Sequence, residues 1–287
     1  MILGADIGNS TTCSSENIIF DSKVAKISKE LSNKGKLNFQ GKRFFIGQGN
    51  YDTEYRKIAK DIYLPLLFTL LSKSTNCKQV ELCLGLPLSQ YQSDKEKLIE
   101  LIKENYHLEG ILDGIDHEFY ITDVMVFPEG VSAIDKNYEG IVVDIGGRTT
   151  DVCFVENING MKKVIKPQSI PSGTINLQLE FINAINSRYG LDLKLNDFNR
   201  ILRSGLSIYG EKQDITFAVD IFKDYLEDLI KDINTEYNLK INNVCFMGGG
   251  SIMLHKPILN RLPHANVIND IFCNAIAYKK LGEELYR

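Results

Sequence analysis

Two short segments of this 287-residue sequence place an aspartate, a glycine and several hydroxyl side chains at matching positions. One occupies residues 6–12 (DIGNSTT) and the other residues 144–150 (DIGGRTT). In each, a strand-like apolar run ends at the aspartate, and a glycine and hydroxyl-bearing residues follow. Successive backbone N–H groups in such a turn bind anions, because glycine lets the chain approach a ligand closely. The pattern therefore predicts a phosphate-binding turn in two copies.

The two aspartates need a cation beside them, since a carboxylate repels phosphate. Mg²⁺ usually keeps several waters and binds few protein carboxylates together with phosphate oxygens. We therefore expect Asp6 and Asp144 to act on the metal through water, and Asp144 also to position an attacking water. An ordinary β-turn explains either segment alone. Two copies about 138 residues apart instead favour two similar halves that face each other, with one turn in each.

A third segment, residues 248–251 (GGGS), follows an apolar run and precedes a helical pattern. Three successive glycines leave room for a base and ribose beside a helix N-terminus, although a tight turn is the alternative. The glycines accommodate either purine, so ATP and GTP both stay open. Arg200 and Arg203 could stack on the base or be solvated. The residues that we expect to bind the nucleotide are Asp6, Gly8, Asn9, Ser10, Thr11, Thr12, Gly146, Gly147, Arg148, Thr149, Gly173, Gly248, Gly249, Gly250 and Ser251.

Glu129 follows Pro128 just before the second turn. The pattern at residues 129–135 predicts a helix with Pro128 in its first turn. An acidic residue at a helix start is favoured by the helix dipole, so capping is one interpretation of Glu129. The other is that Glu129 faces the nucleotide and polarises the water that attacks the γ-phosphate.

The elements that must position these residues alternate along the chain. Strand-like runs occur at 2–7, 17–20, 43–47, 79–85, 117–126, 140–145, 151–155, 163–166 and 242–247. Helix-like runs occur at 54–73, 92–106, 129–135, 174–188, 195–204, 215–238, 252–262 and 270–285. This alternation predicts an α/β fold with mainly buried sheets.

Composition narrows the class of protein further. The chain is 44% hydrophobic with a formal net charge of -4, which gives no reason to expect binding to nucleic acid or an anionic membrane. No apolar run approaches the roughly 18–20 residues of a membrane span, and the N-terminus lacks the features of a signal peptide. The six cysteines form no CxxC pair. We therefore expect a cytoplasmic protein with reduced thiols.

In this order, the two aspartate turns and the glycine segment resemble the motifs of the actin-like ATPase superfamily, over almost the whole chain. The resemblance implies an actin-like fold, with duplicated RNase H-like domains around a central nucleotide cleft. It implies a first domain at residues 1–143, with a C-terminal helix at 266–287 packed back onto it, and a second domain at 144–265.

Three further segments resemble the ParM-type bacterial actins that segregate plasmids: residues 44–49 (FFIGQG), 83–91 (CLGLPLSQY) and 127–129 (FPE). This resemblance implies that Glu129 and Asp144 are the catalytic pair and that ATP or GTP with Mg²⁺ is bound and hydrolysed. It also implies head-to-tail filaments of the chain itself and a DNA-binding adaptor protein as partner. Direct contact with nucleic acid or a membrane is not required.

Two other functions stay open on the same fold. Residues 7–11 also resemble type III pantothenate kinases, but a kinase needs a general-base aspartate aimed at a substrate hydroxyl, and no recognisable second motif supplies one. The other is a non-filamentous ATPase scaffold for cell division or pilus assembly. The C-terminal segment at 279–287 has charges of mixed sign, which is not typical of a membrane-binding helix.

Overall fold

The computed structural model describes residues 1–26, 34–159 and 161–286. Over these residues the chain forms two large β-sheets with helices packed against them and one small two-stranded ribbon. The strands are β1 (Ile2–Ile7), β2 (Thr11–Ser14), β3 (Ile19–Asp21), β4 (Lys23–Ala25), β5 (Lys36–Phe39), β6 (Lys42–Ile46), β7 (Asn50–Tyr51), β8 (Gln79–Leu86), β9 (His107–Leu112), β10 (Ile115–Pro128), β11 (Gly140–Ile145), β12 (Thr150–Ile158), β13 (Met161–Ile170), β14 (Leu206–Ile208), β15 (Glu211–Gln213), β16 (Val244–Met247) and β17 (Asn266–Val267). The helices are α1 (Tyr63–Ser74), α2 (Leu88–Glu104), α3 (Thr174–Tyr189), α4 (Phe198–Ser204), α5 (Thr216–Asn234), α6 (Gly248–Met253), α7 (His255–Arg261) and α8 (Cys273–Leu285).

The first sheet has the strand order β3-β2-β1-β8-β10-β9-β5-β6-β4-β7. β1 pairs with β2 as an antiparallel hairpin and with β8 in parallel. Helix α1 is apolar nearly all round and has little exposed surface, as expected of a helix enclosed by a core. Its side chains and the inward-facing residues of the strands form one continuous hydrophobic cluster.

The second sheet repeats the arrangement at the start of the first. Its order is β13-β12-β11-β16-β17, so β11 pairs with β12 as an antiparallel hairpin and with β16 in parallel. Ile141, Val142 and Val143 are all buried, which is typical of a central strand covered on both faces. Helix α5 buries a stripe at helical spacing against a separate core cluster. The repeated hairpin and parallel neighbour are those expected of a duplicated fold.

Helix α8 follows the second sheet in sequence but packs against β1 and β8 of the first. Glycines make this packing close. A Cβ atom built at Gly4 would lie 1.9 Å from the carbonyl oxygen of Ala275, and one at Gly85 would lie 2.1 Å from the hydroxyl of Tyr278. A helix was expected over 266–287, but α8 begins only at Cys273, residues 266–267 form β17 of the second sheet, and Arg287 lies outside the described residues. The predicted domain limits stay a prediction; the limit at 143/144 falls within β11.

The prediction of a helix at 129–135 is wrong. β10 continues to Pro128, and the backbone N–H of Glu129 donates to the carbonyl of Leu86 at 2.9 Å, which extends the pairing with β8. Gly130 then turns at a φ of 73°, and only a 3-10 turn forms at Val131–Ala133. Glu129 therefore does not cap a helix, because it stands at the end of a strand.

The bounds of other helices and strands also differ from the prediction. The helix expected at 54–73 begins at Tyr63, after a 3-10 turn at Lys57–Ala59. The strands β4, β5, β7, β9, β14, β15 and β17 were not expected, and all of them except β9 have four residues or fewer. In the described part of the chain, no helix is both long enough and apolar enough to cross a membrane.

Candidate active site

A cavity of about 230 Å³ lies between the two sheets, where the β1–β2 and β11–β12 turns face each other. Most of the residues expected to bind the nucleotide, to act on the metal or to catalyse hydrolysis line it. They are Asp6, Gly8, Asn9, Ser10, Thr11, Glu129, Asp144, Gly146, Gly147, Thr149, Gly248, Gly249 and Gly250. Segments separated by more than 100 residues therefore meet at one place.

The two turns have the same internal hydrogen bond. The N–H of Gly8 donates to the carbonyl of Thr11 at 2.9 Å, and the N–H of Gly146 donates to that of Thr149 at 2.9 Å. The turns also touch each other, because a Cβ atom at Gly147 would lie only 2.6 Å from the Cβ of Ser10. The sequence repeat thus corresponds to a structural repeat whose two copies are in contact.

Four of the expected residues do not line the cavity. The hydroxyl of Thr12 is buried against that of Ser22 at 2.9 Å. The hydroxyl of Ser251 donates to the carbonyl of Met247. Gly173 is the N-cap of α3 and packs against the backbone of the second turn. Arg148 lines a neighbouring cavity, together with Tyr51. Thr12, Ser251 and Gly173 therefore pack next to the residues that line the cavity.

The glycine segment forms the first turn of α6, whereas a helix was expected to begin after it. Gly248 has a φ of 83°, and a Cβ atom there would lie 2.3 Å from Oδ1 of Asp144. Only glycine suits this position, because side chains disfavour this backbone conformation and no space remains for one. The glycines therefore bring the start of α6 directly against the second aspartate. Arg200 pairs with Asp197 at the surface.

Lys57 was missed by the sequence analysis and is the counter-ion of two expected site residues. Its side chain is 2% exposed, and its Nζ lies 3.2 Å from Oδ1 of Asp6 and in short contact with Oε1 of Glu129. No local motif marks this lysine, which begins the short 3-10 turn before α1. Lys60, in the same segment, contacts Oδ1 of Asn9.

Asn274 connects α8 with the second aspartate. Its Nδ2 donates to Oδ2 of Asp144 at 3.1 Å, and its Oδ1 accepts from the N–H of Gly130 at 3.1 Å. Burial raises the pKa of Asp144 to about 7, although the hydrogen bond from Asn274 opposes the shift. An added positive charge in the cavity would restore its ionised form.

Two further carboxyl groups share this environment. Burial raises the pKa of Glu129 above its usual range, although the ammonium of Lys57 opposes the shift. Burial likewise raises the pKa of Asp151 to about 6, and its Oδ1 has no hydrogen-bond partner. Asp151 pairs with Asp144 across the β11–β12 hairpin. A cluster of buried carboxyl groups is costly unless a cation or a proton compensates it.

The remaining lining residues were not among the predicted site residues. They are Cys13, Asp21, Tyr51, Pro87, Thr174, Gln178, Asn199, Met253, Ile271 and Cys273, besides Lys57, Asp151 and Asn274. Of these, Asp151, Thr174 and Pro87 carried a sequence signal, since Asp151 directly follows the second turn, Thr174 directly follows Gly173, and Pro87 lies within residues 83–91. The others meet only through the tertiary fold.

The groups that line the cavity have the chemistry to hold phosphates together with a magnesium ion. Two glycine turns with hydroxyl side chains provide anion-binding groups, and Asp6 and Asp144 provide oxygen acceptors for metal-bound water. Within the described residues, no group of three or more His, Cys, Asp or Glu side chains is arranged to hold a metal ion. Magnesium would therefore take most of its ligands from water and phosphate oxygens, which is its usual preference. The unpartnered Oδ1 of Asp151 is a further acceptor.

Two family models match the chain, one over each half. The model of the N-terminal domain of actin-like proteins matches residues 4–131. The model of the C-terminal domain of the archaeal MreB-like actin homologue matches residues 142–259. A search of the curated proteins by sequence found no significant match.

Solved structures match over nearly the full length. A 15-stranded ParM filament from Clostridium botulinum is 18% identical with a TM-score of 0.80, and 99% of each chain is covered. Ta0583, an archaeal actin homologue in complex with ADP, is 21% identical with a TM-score of 0.82 and the same coverage. The Alp12 filament is 19% identical with a TM-score of 0.69, covering 100% of this chain and 99% of that one. These likenesses confirm the predicted two-domain α/β fold.

Proposed function

Because the chain belongs to the actin-like ATPase superfamily, we propose that it binds and hydrolyses ATP or GTP with Mg²⁺ in this cavity and assembles into filaments. One observation carries the proposal: two matching aspartate–glycine turns face each other across a single cavity that Glu129 also lines. A ligand that contacts both turns connects the two halves of the molecule. Its hydrolysis would therefore change how the halves are held together.

Each set of residues has a distinct part in this proposal. The backbone N–H groups and hydroxyls of the turns bind the phosphates, and Asp6 and Asp144 hold the metal through water. The bound nucleotide supplies the phosphoanhydride bond that is hydrolysed. Glu129 and Asp144 orient the attacking water and accept its proton, which is the positioning chemistry that phosphoryl transfer requires. Gln178 and Asn199, which line the cavity with the glycines of α6, are candidates for contacts to the base and ribose.

The proposal that the chain forms filaments is supported by the structures to which it is similar. Both the ParM structure and Alp12 are described as filaments, and Ta0583 was solved with ADP. We further propose that the filament moves plasmid DNA through a DNA-binding adaptor protein, in the cytoplasm, without itself binding DNA or a membrane. This finer assignment depends on the resemblance of residues 44–49, 83–91 and 127–129 to ParM-type proteins.

Light scattering and phosphate release, followed together, test the proposal. ATP or GTP is added with Mg²⁺ to the purified chain over a range of concentrations. A filament-forming hydrolase scatters light above a critical concentration, and the scattering decays as phosphate accumulates. Chelation of Mg²⁺ is the matched control and should abolish both signals. Phosphate release without scattering up to tens of micromolar protein would contradict the filament proposal. ADP formation that requires a hydroxyl substrate would identify a kinase.

A further inference from the structure

Lys57 has no role in the proposed function as stated, yet it is a charged side chain enclosed in the cavity. A buried ammonium is costly, and burial of an ion pair stabilises a fold no better than apolar residues of the same size. Stability alone therefore gives little reason for a lysine here. Its two carboxylate neighbours, Asp6 and Glu129, come from different strands of the first sheet. The ammonium joins the first phosphate turn to the carboxylate proposed as general base.

Helix α2 fixes the segment that carries Lys57. The backbone N–H of Lys57 donates to Oε1 of Gln90 at 3.0 Å, and Nε2 of Gln90 donates to the carbonyl of Tyr55 at 3.2 Å. Between them, Arg56 donates twice to the fully buried carboxylate of Asp94, at 3.0 and 2.8 Å. The backbone beside Lys57 is thus held by side chains of α2 on both sides. Such support is what keeps a functional group at a fixed place.

The negative charges around the cavity favour a positive group at the position of the Lys57 ammonium. Asp6, Glu129, Asp144 and Asp151 all line it, and residues 6–12 of the first turn include no lysine or arginine. Without a positive group between them, the carboxylates of Asp6 and Glu129 would repel each other. Glu129 could then turn away from the cavity, since its carboxylate is bound by no other side chain among the contacts of the described residues.

We propose that Lys57 is the positioning residue for Glu129. Its ammonium holds the Glu129 carboxylate beside Asp6, so that the general base keeps a fixed distance from the turn that binds the phosphates. The inference rests on the proposed function, because positioning has meaning only if Glu129 acts on the attacking water. A small misplacement of a catalytic group costs up to about 100-fold in rate. The effect should therefore appear in kcat and leave nucleotide affinity nearly unchanged.

A double-mutant cycle tests this role. Lys57→Met removes the ammonium and keeps the unbranched side chain, and Glu129→Gln removes the base. We expect Lys57→Met to lower kcat roughly 10- to 100-fold, while the dissociation constant of a fluorescent ADP analogue changes less than about threefold. In the Glu129→Gln background, Lys57→Met should slow hydrolysis no further, because a positioning residue has nothing left to position. Lys57→Gln replaces the Met variant if that variant does not fold.

Lys78→Met is the matched control, since Lys78 is an exposed lysine that pairs with Glu118 outside the cavity. It should hydrolyse ATP or GTP at the wild-type rate. The inference would be overturned if the losses in kcat from the two substitutions multiplied in the double variant. It would also be overturned if Lys57→Met weakened nucleotide binding and left kcat unchanged, because Lys57 would then bind phosphate directly. If the wild-type chain hydrolyses neither nucleotide, the proposed function itself fails. If the wild type hydrolyses nucleotide and Lys57→Met does so at the same rate, only the inference about Lys57 fails.

Discussion

The contact between the two turns can be tested by adding a single methyl group at Gly147. In Gly147→Ala, the new Cβ would lie 2.6 Å from the Cβ of Ser10 and 2.7 Å from its Oγ. Carbon atoms in contact are ordinarily about 3.5–4.0 Å apart, so the turns would have to separate by roughly 1 Å. Gly147 does not have a positive φ, so alanine fits the local backbone. The expected effect is therefore steric and acts between the two halves.

The magnitude follows from the usual cost of overpacking, about 1–3 kcal/mol. Binding of a nucleotide that must contact both turns would lose a similar amount, and each 1.4 kcal/mol is about a factor of ten in affinity. We expect the dissociation constant of a fluorescent ATP analogue with Mg²⁺ to rise about 5- to 100-fold. Titration of the purified variant measures this constant, and circular dichroism with heating checks that the variant is folded.

Ser10→Gly in the same chain provides the internal control. It removes the two side-chain atoms nearest to the new methyl group, so the double variant should regain most of the lost affinity. Ser10→Gly alone gives the cost of losing the hydroxyl. Wild-type affinity in Gly147→Ala would refute the idea that the turns must meet. Failure of Ser10→Gly to restore binding would show instead that the methyl group obstructs the ligand itself.

Three further outcomes are expected. Glu129→Gln should keep nucleotide-dependent scattering but slow phosphate release at least roughly tenfold; unchanged release would exclude Glu129 as the base. Burial raises the pKa of Asp151 from 3.8 to about 6, so the nucleotide-free protein should lose stability as pH rises through that window. Asp151→Asn should therefore be stabilised by roughly 1–3 kcal/mol at about pH 8 and hardly at all at about pH 4, and equal gains in urea unfolding at both pH values would contradict this. Gly85→Ala should destabilise the fold by roughly 1–3 kcal/mol in urea, because its Cβ would lie 2.1 Å from the Tyr278 hydroxyl; an unchanged midpoint would mean that α8 packs loosely.

The two aspartate turns could be predicted because their chemistry lies within seven consecutive residues. The strand before each turn, the glycine and the hydroxyls are all local features, and the hydrogen bonds from Gly8 to Thr11 and from Gly146 to Thr149 are local too. The repeat then indicated a pair of facing halves. The alternating elements likewise predicted the class of fold correctly, since helical and strand periodicities are properties of short windows.

Lys57 and Asn274 could not be predicted in the same way. Lys57 reaches the cavity because α2 holds its segment, and Asn274 reaches it because α8 returns across the first sheet to Asp144. Both facts depend on contacts between residues far apart in sequence. For Glu129 the position at the cavity was predicted correctly and the local structure was not. Its place in the cavity was expected, but its helix was not formed, because pairing of β10 with β8 outweighed the local preference after Pro128.

The return of α8 to the first sheet has a consequence for synthesis of the chain. The glycine surface around Gly4 and Gly85 receives α8, yet this helix begins 145 residues after β10 ends at Pro128. At about 5–20 residues per second, the ribosome needs roughly 7–30 s to make that interval. The first half therefore emerges with this face of its sheet uncovered and can be completed only when the last helix arrives. A nascent chain stalled before α8 should be open to chaperones and proteases at this face.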